Sequence, residues 1–378
     1  MKKFLVLLLL LLSYQPAIAA SKPLTQIGVV EGDGLFIDKS TIYTFGTTES
    51  LTSDAFISAY DGKGILQLRK VIDGGGSEYI SAVSSDGVGN FWLVGGDTLP
   101  TPSTSVDSRT STAVNPDSST VEAIPAQRED IKNIVLWKFT PATQSITRYA
   151  LNYGSSILAT AISADSKGIS IVAYTLVKGV ATNLLINVKS SGEFGQPITV
   201  GNKGSTINGV QRQSDGSIVL IGSISEKLGS ATPSGKRDAI LIKVTNNKVA
   251  QIAQSTAKNG EREWLSIGSS TFLAGTTKVG KNIQVAVTKF ANFKPVWNFT
   301  YPSTGSAVGF LNSSGAYLAY GTSQGISLNA YSTKGVLGNI YLTPGAQTPL
   351  GLAYSKELGL VLLATSGNQS FLFTPTSG

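Results

Sequence analysis

Two absences narrow the chemistry open to this chain. Its 378 residues include no His and no Cys, so a Ser-His-acid triad, an imidazole base, a thiol nucleophile and His or thiolate metal ligation are all excluded. Neither a G-x-S-x-G nucleophile elbow nor a G-x-x-x-x-G-K-[ST] phosphate loop occurs. Carboxylates survive this elimination. Glycoside hydrolysis needs only two of them facing each other across a cleft, and Glu78, Glu261 and Glu263 are the candidates, standing at strand entries beside Tyr79, Arg262 and Trp264. A guanidinium and aromatic rings at such entries also suit ligand or partner contact without any reaction. Glu78, Tyr79, Glu261, Arg262, Glu263 and Trp264 are therefore read as candidate ligand-binding residues, and no catalytic residue is assigned. Oxygen-only Ca²⁺ sites formed by turn carboxylates stay open but have no loop signature here, so no metal and no cofactor is assigned. The plainer reading of Glu261-Arg262-Glu263 is a solvated, salt-bridged turn, with Trp264 filling a wedge between packed units.

The elements that would position these residues form an internal repeat. Five segments share a small-residue start: Gly76-Ser77-Glu78-Tyr79-Ile80, Gly154-Ser155-Ser156-Ile157, Gly204-Ser205-Thr206-Ile207, Gly260-Glu261-Arg262-Glu263-Trp264 and Gly305-Ser306-Ala307-Val308. Looser versions at Gly32 and Gly345 make seven. After each start comes an apolar run such as Phe91-Trp92-Leu93-Val94-Gly95 or Ile218-Val219-Leu220-Ile221-Gly222, and then a third such as Ile134-Val135-Leu136-Trp137 or Ala239-Ile240-Leu241-Ile242. Runs of this length without polar alternation read as strands buried on both faces. A more polar fourth strand completes six of the units. The seventh stops after its third, and Leu24 to Val30 matches the missing one in character.

Four strands per unit of roughly 45 residues, with no helical pattern between them, predicts an all-β chain: a seven-bladed β-propeller of four-stranded antiparallel blades, the last blade closed by the N-terminal strand. That closure would leave no open edge in the last blade. A six- or eight-membered ring or an open solenoid is the rival arrangement. Ser214-Asp215-Gly216-Ser217-Ile218-Val219-Leu220-Ile221-Gly222, followed by Arg237-Asp238-Ala239-Ile240-Leu241, resembles bacterial secreted propeller repeats of the D-G-x-[IV] and D-A-[FI] type, and Asp54-Ala55-Phe56-Ile57 is similar. The resemblance implies a fold and an association with exported or surface proteins. It implies no catalytic pattern.

Residues 1–20 carry Lys2-Lys3, an apolar run from Phe4 to Leu12 and Ala17-Ile18-Ala19, the plan of a secretory signal peptide. An apolar run of about nine residues is too short to span a bilayer, which needs about twenty. Residues 21–378 are then one propeller domain, secreted or periplasmic, with an insertion at 97–132 rich in Ser, Thr, Pro and Asp. Removing Lys2 and Lys3 lowers the formal charge from +7 to about +5, and the remaining cations are scattered, which argues against nucleic-acid binding. The expected function is an exported, non-catalytic binding or protein-interaction module with a protein or glycan partner at the cell envelope, and a monomer. A carbohydrate-active enzyme using a carboxylate pair at the channel mouth and a structural envelope component are the alternatives.

Overall fold

The computed structural model describes residues 21–48, 53–98, 130–177, 180–312, 315–343, 345 and 348–375. The leader and most of the 97–132 insertion lie outside them. After β1 (Lys22–Val30) the strands follow in successive units. The first is β2 (Gly34–Asp38), β3 (Thr41–Thr47), β4 (Ala55–Tyr60) and β5 (Leu66–Ile72); the second is β6 (Glu78–Ser85), β7 (Phe91–Thr98), β8 (Ile131–Thr140) and β9 (Ser145–Asn152). The third is β10 (Ile157–Asp165), β11 (Gly168–Val177), β12 (Val180–Lys189) and β13 (Ile198–Thr199). The fourth is β14 (Ser205–Arg212), β15 (Ile218–Ile224), β16 (Asp238–Thr245) and β17 (Lys248–Ser255). The fifth is β18 (Glu261–Gly268), β19 (Phe272–Val279), β20 (Asn282–Ala291) and β21 (Lys294–Pro302). The sixth is β22 (Ala307–Leu311), β23 (Ala316–Thr322), β24 (Gly325–Tyr331) and β25 (Leu337–Thr343), and β26 (Thr348–Ser355), β27 (Gly359–Ser366) and β28 (Gln369–Pro375) end the chain.

The first five units are separate four-stranded sheets paired in sequence order, and the rest form one eight-stranded sheet. What joins them is β1. It lies antiparallel to β28, with Leu24 opposite Pro375 and Val30 opposite Ser370. At its start, Lys22 and Pro23 also pair in parallel with Tyr341 and Leu342 of β25. The anticipated fourth strand of the third unit shrinks to two residues, Ile198–Thr199, directly after Pro197.

Alternation along the strands explains why the sheets need one another. In β15, Leu220 enters an apolar cluster shared with the third unit, through Leu185 and Val200. Its neighbours Val219 and Ile221 enter a different cluster, shared with Trp264 and Leu273 of the fifth. Every pair of successive units has such a cluster, and one of Leu35, Ile42, Val361 and Leu363 joins the last unit to the first. The unit-opening strands touch in the same cycle, β2 meeting both β6 and β26. No unit owns a core, and each sheet is buried on two faces, as its unbroken apolar runs require.

A bulge interrupts the opening strand of the second, fourth and fifth units, between Ile80 and Ala82, Ile207 and Gly209, and Trp264 and Ser266. Gly95, Gly222 and Gly275 lie opposite. A Cβ on them would stand 1.7, 1.8 and 2.0 Å from the carbonyl oxygens of Tyr79, Thr206 and Glu263. The recurring terminal Gly of the second strand is thus a clearance for backbone. The third and last units carry Ala173 and Ala364 opposite their own bulges, so there the strands stand far enough apart for a methyl group.

The third and fourth units are also tied by charge. Arg212 ion-pairs with Asp165 at 3.0 Å, and its Nη1 donates to Ser170 Oγ at 3.0 Å. Burial alone would raise the Asp165 pKa, but Arg212 and the N–H groups of Lys167 and Gly168 outweigh it and hold the carboxyl below its ordinary value.

Two outcomes are expected. Gly222→Ala forces backbone apart at the bulge and should destabilise the chain by about 1–3 kcal/mol, the usual range for overpacking, read as a lower denaturation midpoint with an unchanged m-value. Because the Asp165 pKa is depressed in the folded state, its contribution is complete above the ordinary Asp value and lost as pH falls through the lower folded value. The stability deficit of Asp165→Asn against the parent should therefore be largest near neutrality and close below about pH 4, in unfolding curves compared across pH.

Candidate ligand-binding face

Antiparallel pairing within each unit brings the connections from second to third strand, and from one unit to the next, to a common face. The candidate residues stand there, because Glu78 opens β6 and Glu261 opens β18. By register with their second strands, Glu78 faces Asp97 as Arg262 faces Thr277, two residues past the clearance glycine in each case. Glu78 is thus the counterpart of Arg262, and Tyr79 of Glu263.

At the junction of the fourth and fifth units the bulged residue Asn208 reaches across. Its Nδ2 donates to Glu263 Oε1 at 2.9 Å and to the Trp264 carbonyl at 2.8 Å. Ser223 Oγ donates to the same Glu263 oxygen at 3.3 Å, and Arg237 Nη1 lies 3.9 Å from it. Arg237 Nη1 also donates to Thr206 Oγ1 and Ser223 Oγ, at 3.3 Å each. Its backbone completes the seam: the Arg262 N–H donates to the Arg237 carbonyl at 2.9 Å. Arg237, Glu261, Glu263, Thr276 and Lys278 line a cavity of about 210 Å³.

Arg262 and Trp264 face the other way. Trp264 is fully buried in the cluster between the two units, edge-on to Phe290 at 6.3 Å. The ring thus fills the wedge between units, as in the plainer reading of the sequence, since alternation sends it to the side opposite Glu263. Arg262 covers it, with Cζ 4.8 Å from the ring centroid, and Nη2 donates to Asn298 Oδ1 at 3.0 Å. Burial pushes the Arg262 guanidinium pKa down.

Glu78 and Tyr79 stand apart from this group, lining a second cavity of about 240 Å³ with Thr47, Ser53, Ser77, Ile131 and Leu158. Tyr79 OH accepts from the Ala159 N–H of the third unit at 3.2 Å. Glu78 is buried, and its Oε1 accepts from the Gly74 N–H at 2.9 Å. Burial raises its pKa, against the N–H groups of Gly74 and Gly76 and with help from the charges of Asp54 and Asp97. Asp97 itself has partners, in Arg148 and in Asn133 Nδ2 at 2.6 Å. Glu78 and Glu261 thus line different cavities, with no lining residue in common.

Two further cavities open on the same face: one of about 540 Å³ among hydroxyl-bearing Thr304, Ser306, Thr322, Ser323 and Thr348, and one of about 370 Å³ at Asp33, Thr48, Arg69 and Asn368. The Ser225–Arg237 loop is anchored rather than free, because Asn202 Nδ2 donates to the Lys227 carbonyl and Ala231 is buried. Sequence reasoning passed over Asn208, Thr276 and Lys278. The bulge that aims Asn208 leaves no mark in composition. Among the described residues no helix is long and apolar enough to cross a membrane.

No protein-family model matches the chain, and no curated protein matches it in sequence. Solved structures do. The WD40 repeats of RRP9 align with a TM-score of 0.52 at 11% identity, over 93% of this chain and 94% of that one. Streptogramin B lyase aligns with a TM-score of 0.52 at 11% identity, over 93% and 97%. The acylaminoacyl peptidase of Pyrococcus horikoshii aligns with a TM-score of 0.50 at 10% identity, over 96% of this chain and 53% of that one. This chain therefore spans about half the length of that peptidase. The fold is a β-propeller. At such identities the likeness carries fold alone, and the propeller's activity must be argued from its own residues.

Asn208→Ala should destabilise the propeller by about 1–3 kcal/mol, since it removes the donor to a part-buried carbonyl and a part-buried carboxylate together. Chemical denaturation of the variant measures it, and a change below about 0.5 kcal/mol would show that solvent replaces the amide.

Proposed function

We propose that the chain is a seven-bladed member of the exported bacterial propeller-repeat type, and that it acts as a non-catalytic binding module at the cell envelope or outside the cell. Its partner is a protein or glycan held on the face that carries the strand-two-to-three and inter-blade connections. The seven inter-unit clusters and the cycle of opening strands support the blade count.

One observation carries the choice of face. On the opposite face the longest connection runs only from Lys189 to Ile198, and in the fourth and fifth units the third and fourth strands turn through the tight pairs Asn246-Asn247 and Asn292-Phe293, at φ between +50 and +62°, which fixes both length and conformation there. The two longest connections, from β7 to β8 and from β15 to β16, both lie on the proposed face, and cavities of about 210 to 540 Å³ open on it. One cavity of about 380 Å³ opens opposite, where Asp215 pairs with Lys243 at 3.0 Å and Asp215 and Ser217 are held by the same turn. The proposed site comprises Glu261 and Glu263 with Arg262 behind them on Trp264, and Glu78 with Tyr79 at a separate junction. Arg237 and Lys278 add cations, so this part of the face presents both signs of charge, suited to a polar partner.

The test compares reversal of charge on the two faces. A partner cross-linked to the mature chain in envelope extract and quantified by mass spectrometry should fall at least about tenfold with Arg237→Glu plus Lys278→Glu, a loss of about 1.4 kcal/mol. It should be retained with Lys167→Glu in the opposite hairpin. Equal capture by both variants would sink the assignment of the face.

A further inference from the structure

We propose that Asp54, Asp73 and Glu78, at the junction of the first and second units, bind a calcium ion. One carboxylate oxygen from each lies within 4.8 Å of the others. That spacing suits ligands of a single ion, because oxygens on opposite sides of Ca²⁺ at its usual 2.3–2.6 Å are separated by about twice that distance. All three donors are hard oxygens, and neither nitrogen nor sulfur competes for the position.

Burial points to the ion independently of the cluster. Glu78 exposes only 3% of its surface, and its Oε2 is buried with no hydrogen-bond partner. Asp54 Oδ1 is buried and unpartnered in the same way. Buried carboxylate oxygens are ordinarily paired or bound to metal. The remaining oxygens are already oriented by the connecting loop: the Gly74 N–H donates to Glu78 Oε1 at 2.9 Å, and the Gly75 N–H to Asp73 Oδ1 at 2.8 Å. Gly75 stands at φ +86°, a conformation that only glycine adopts at little cost. Among the described residues no Lys or Arg pairs with any of the three carboxylates.

The molecule contains its own comparison. At the junction of the fourth and fifth units the Arg262 N–H bonds to the Arg237 carbonyl, as the Glu78 N–H bonds to the Ser53 carbonyl at the junction of the first and second. Equivalent register positions therefore carry Asp238 and Arg262 at one junction and Asp54 and Glu78 at the other. The first pair includes a cation in its own sequence; the second has two acids and a third beside them. Asp73 is exposed, which gives the ion an entry path and room for water to complete six to eight ligands.

The experiment is thermal unfolding of the full chain in calcium chloride against chelator, with calorimetric titration of CaCl₂ into chelator-treated protein. One ion per chain is expected, with a rise in Tm of about 3–4 °C at a hundredfold excess over Kd for a chain of this size. Glu78→Gln should abolish the calcium-dependent rise and leave Tm in chelator unchanged or higher, because it removes one of three crowded charges. Asp73→Asn, at an exposed position, provides the same test should the buried variant fail to fold. No heat with identical Tm in calcium and chelator, or a full response in Asp73→Asn, would overturn the site. An equal or larger rise with magnesium chloride would overturn its assignment to calcium.

Discussion

A strand buried on both faces cannot stand at a free edge, and this constraint governs the molecule. Adjacent residues of β15 belong to different clusters, Leu220 to one and Val219 with Ile221 to the next, so a single unit has half of two cores and none of its own. An open array would leave an apolar sheet face at each end, and closure removes both. The N-terminal strand provides it: Leu24 enters the cluster between the sixth and last units, and Val30 the one between the last and the first. One strand of nine residues thus seals two interfaces, while its ladder to β28 covers an edge that would otherwise be open to another chain.

Closure also explains what could be read from the residues alone. Strand positions were legible because two-sided burial writes itself as unbroken apolar runs, and Phe91 to Val94, Ile218 to Ile221 and Ala239 to Ile242 all lie within observed strands. The role of Leu24 to Val30 was legible for a related reason, since an unpaired third strand in the last unit demanded a partner. The two-residue β13 was not anticipated, because the pattern of the repeat gives every such unit a full fourth strand.

The candidate site was legible as a location and not as a set of exposures. Position along the chain placed Glu261 to Trp264 at a strand entry, but which of them meet solvent depends on alternation and on the bulge between Trp264 and Ser266. Glu263 lines the cavity while Trp264 is buried between units, although the two are adjacent. The acidic junction was equally hidden, because Asp54 and Glu78 belong to different units and meet only across the interface. Its signal lay in the repeat itself: Asp54-Ala55 and Asp238-Ala239 are matching dipeptides, and superposing the two units on them sets Glu78 against Arg262.

That contrast shows how the fold divides its labour. Backbone register and the clusters between units are bound to the packing of the sheets and repeat with little freedom. The strand entries on the proposed face carry no such load, because an inter-unit connection has only to span a fixed gap. Closing a longer loop costs only about 0.6 kcal/mol for each doubling of its length, so the length of the connection from β7 to β8 adds little to the cost of closing the ring. Charge at the entries can change sign from one junction to another, as Arg262 and Glu78 do, provided that each buried charge finds a partner. The two longest connections thus lie on one face, and side chains there can vary without reopening the ring.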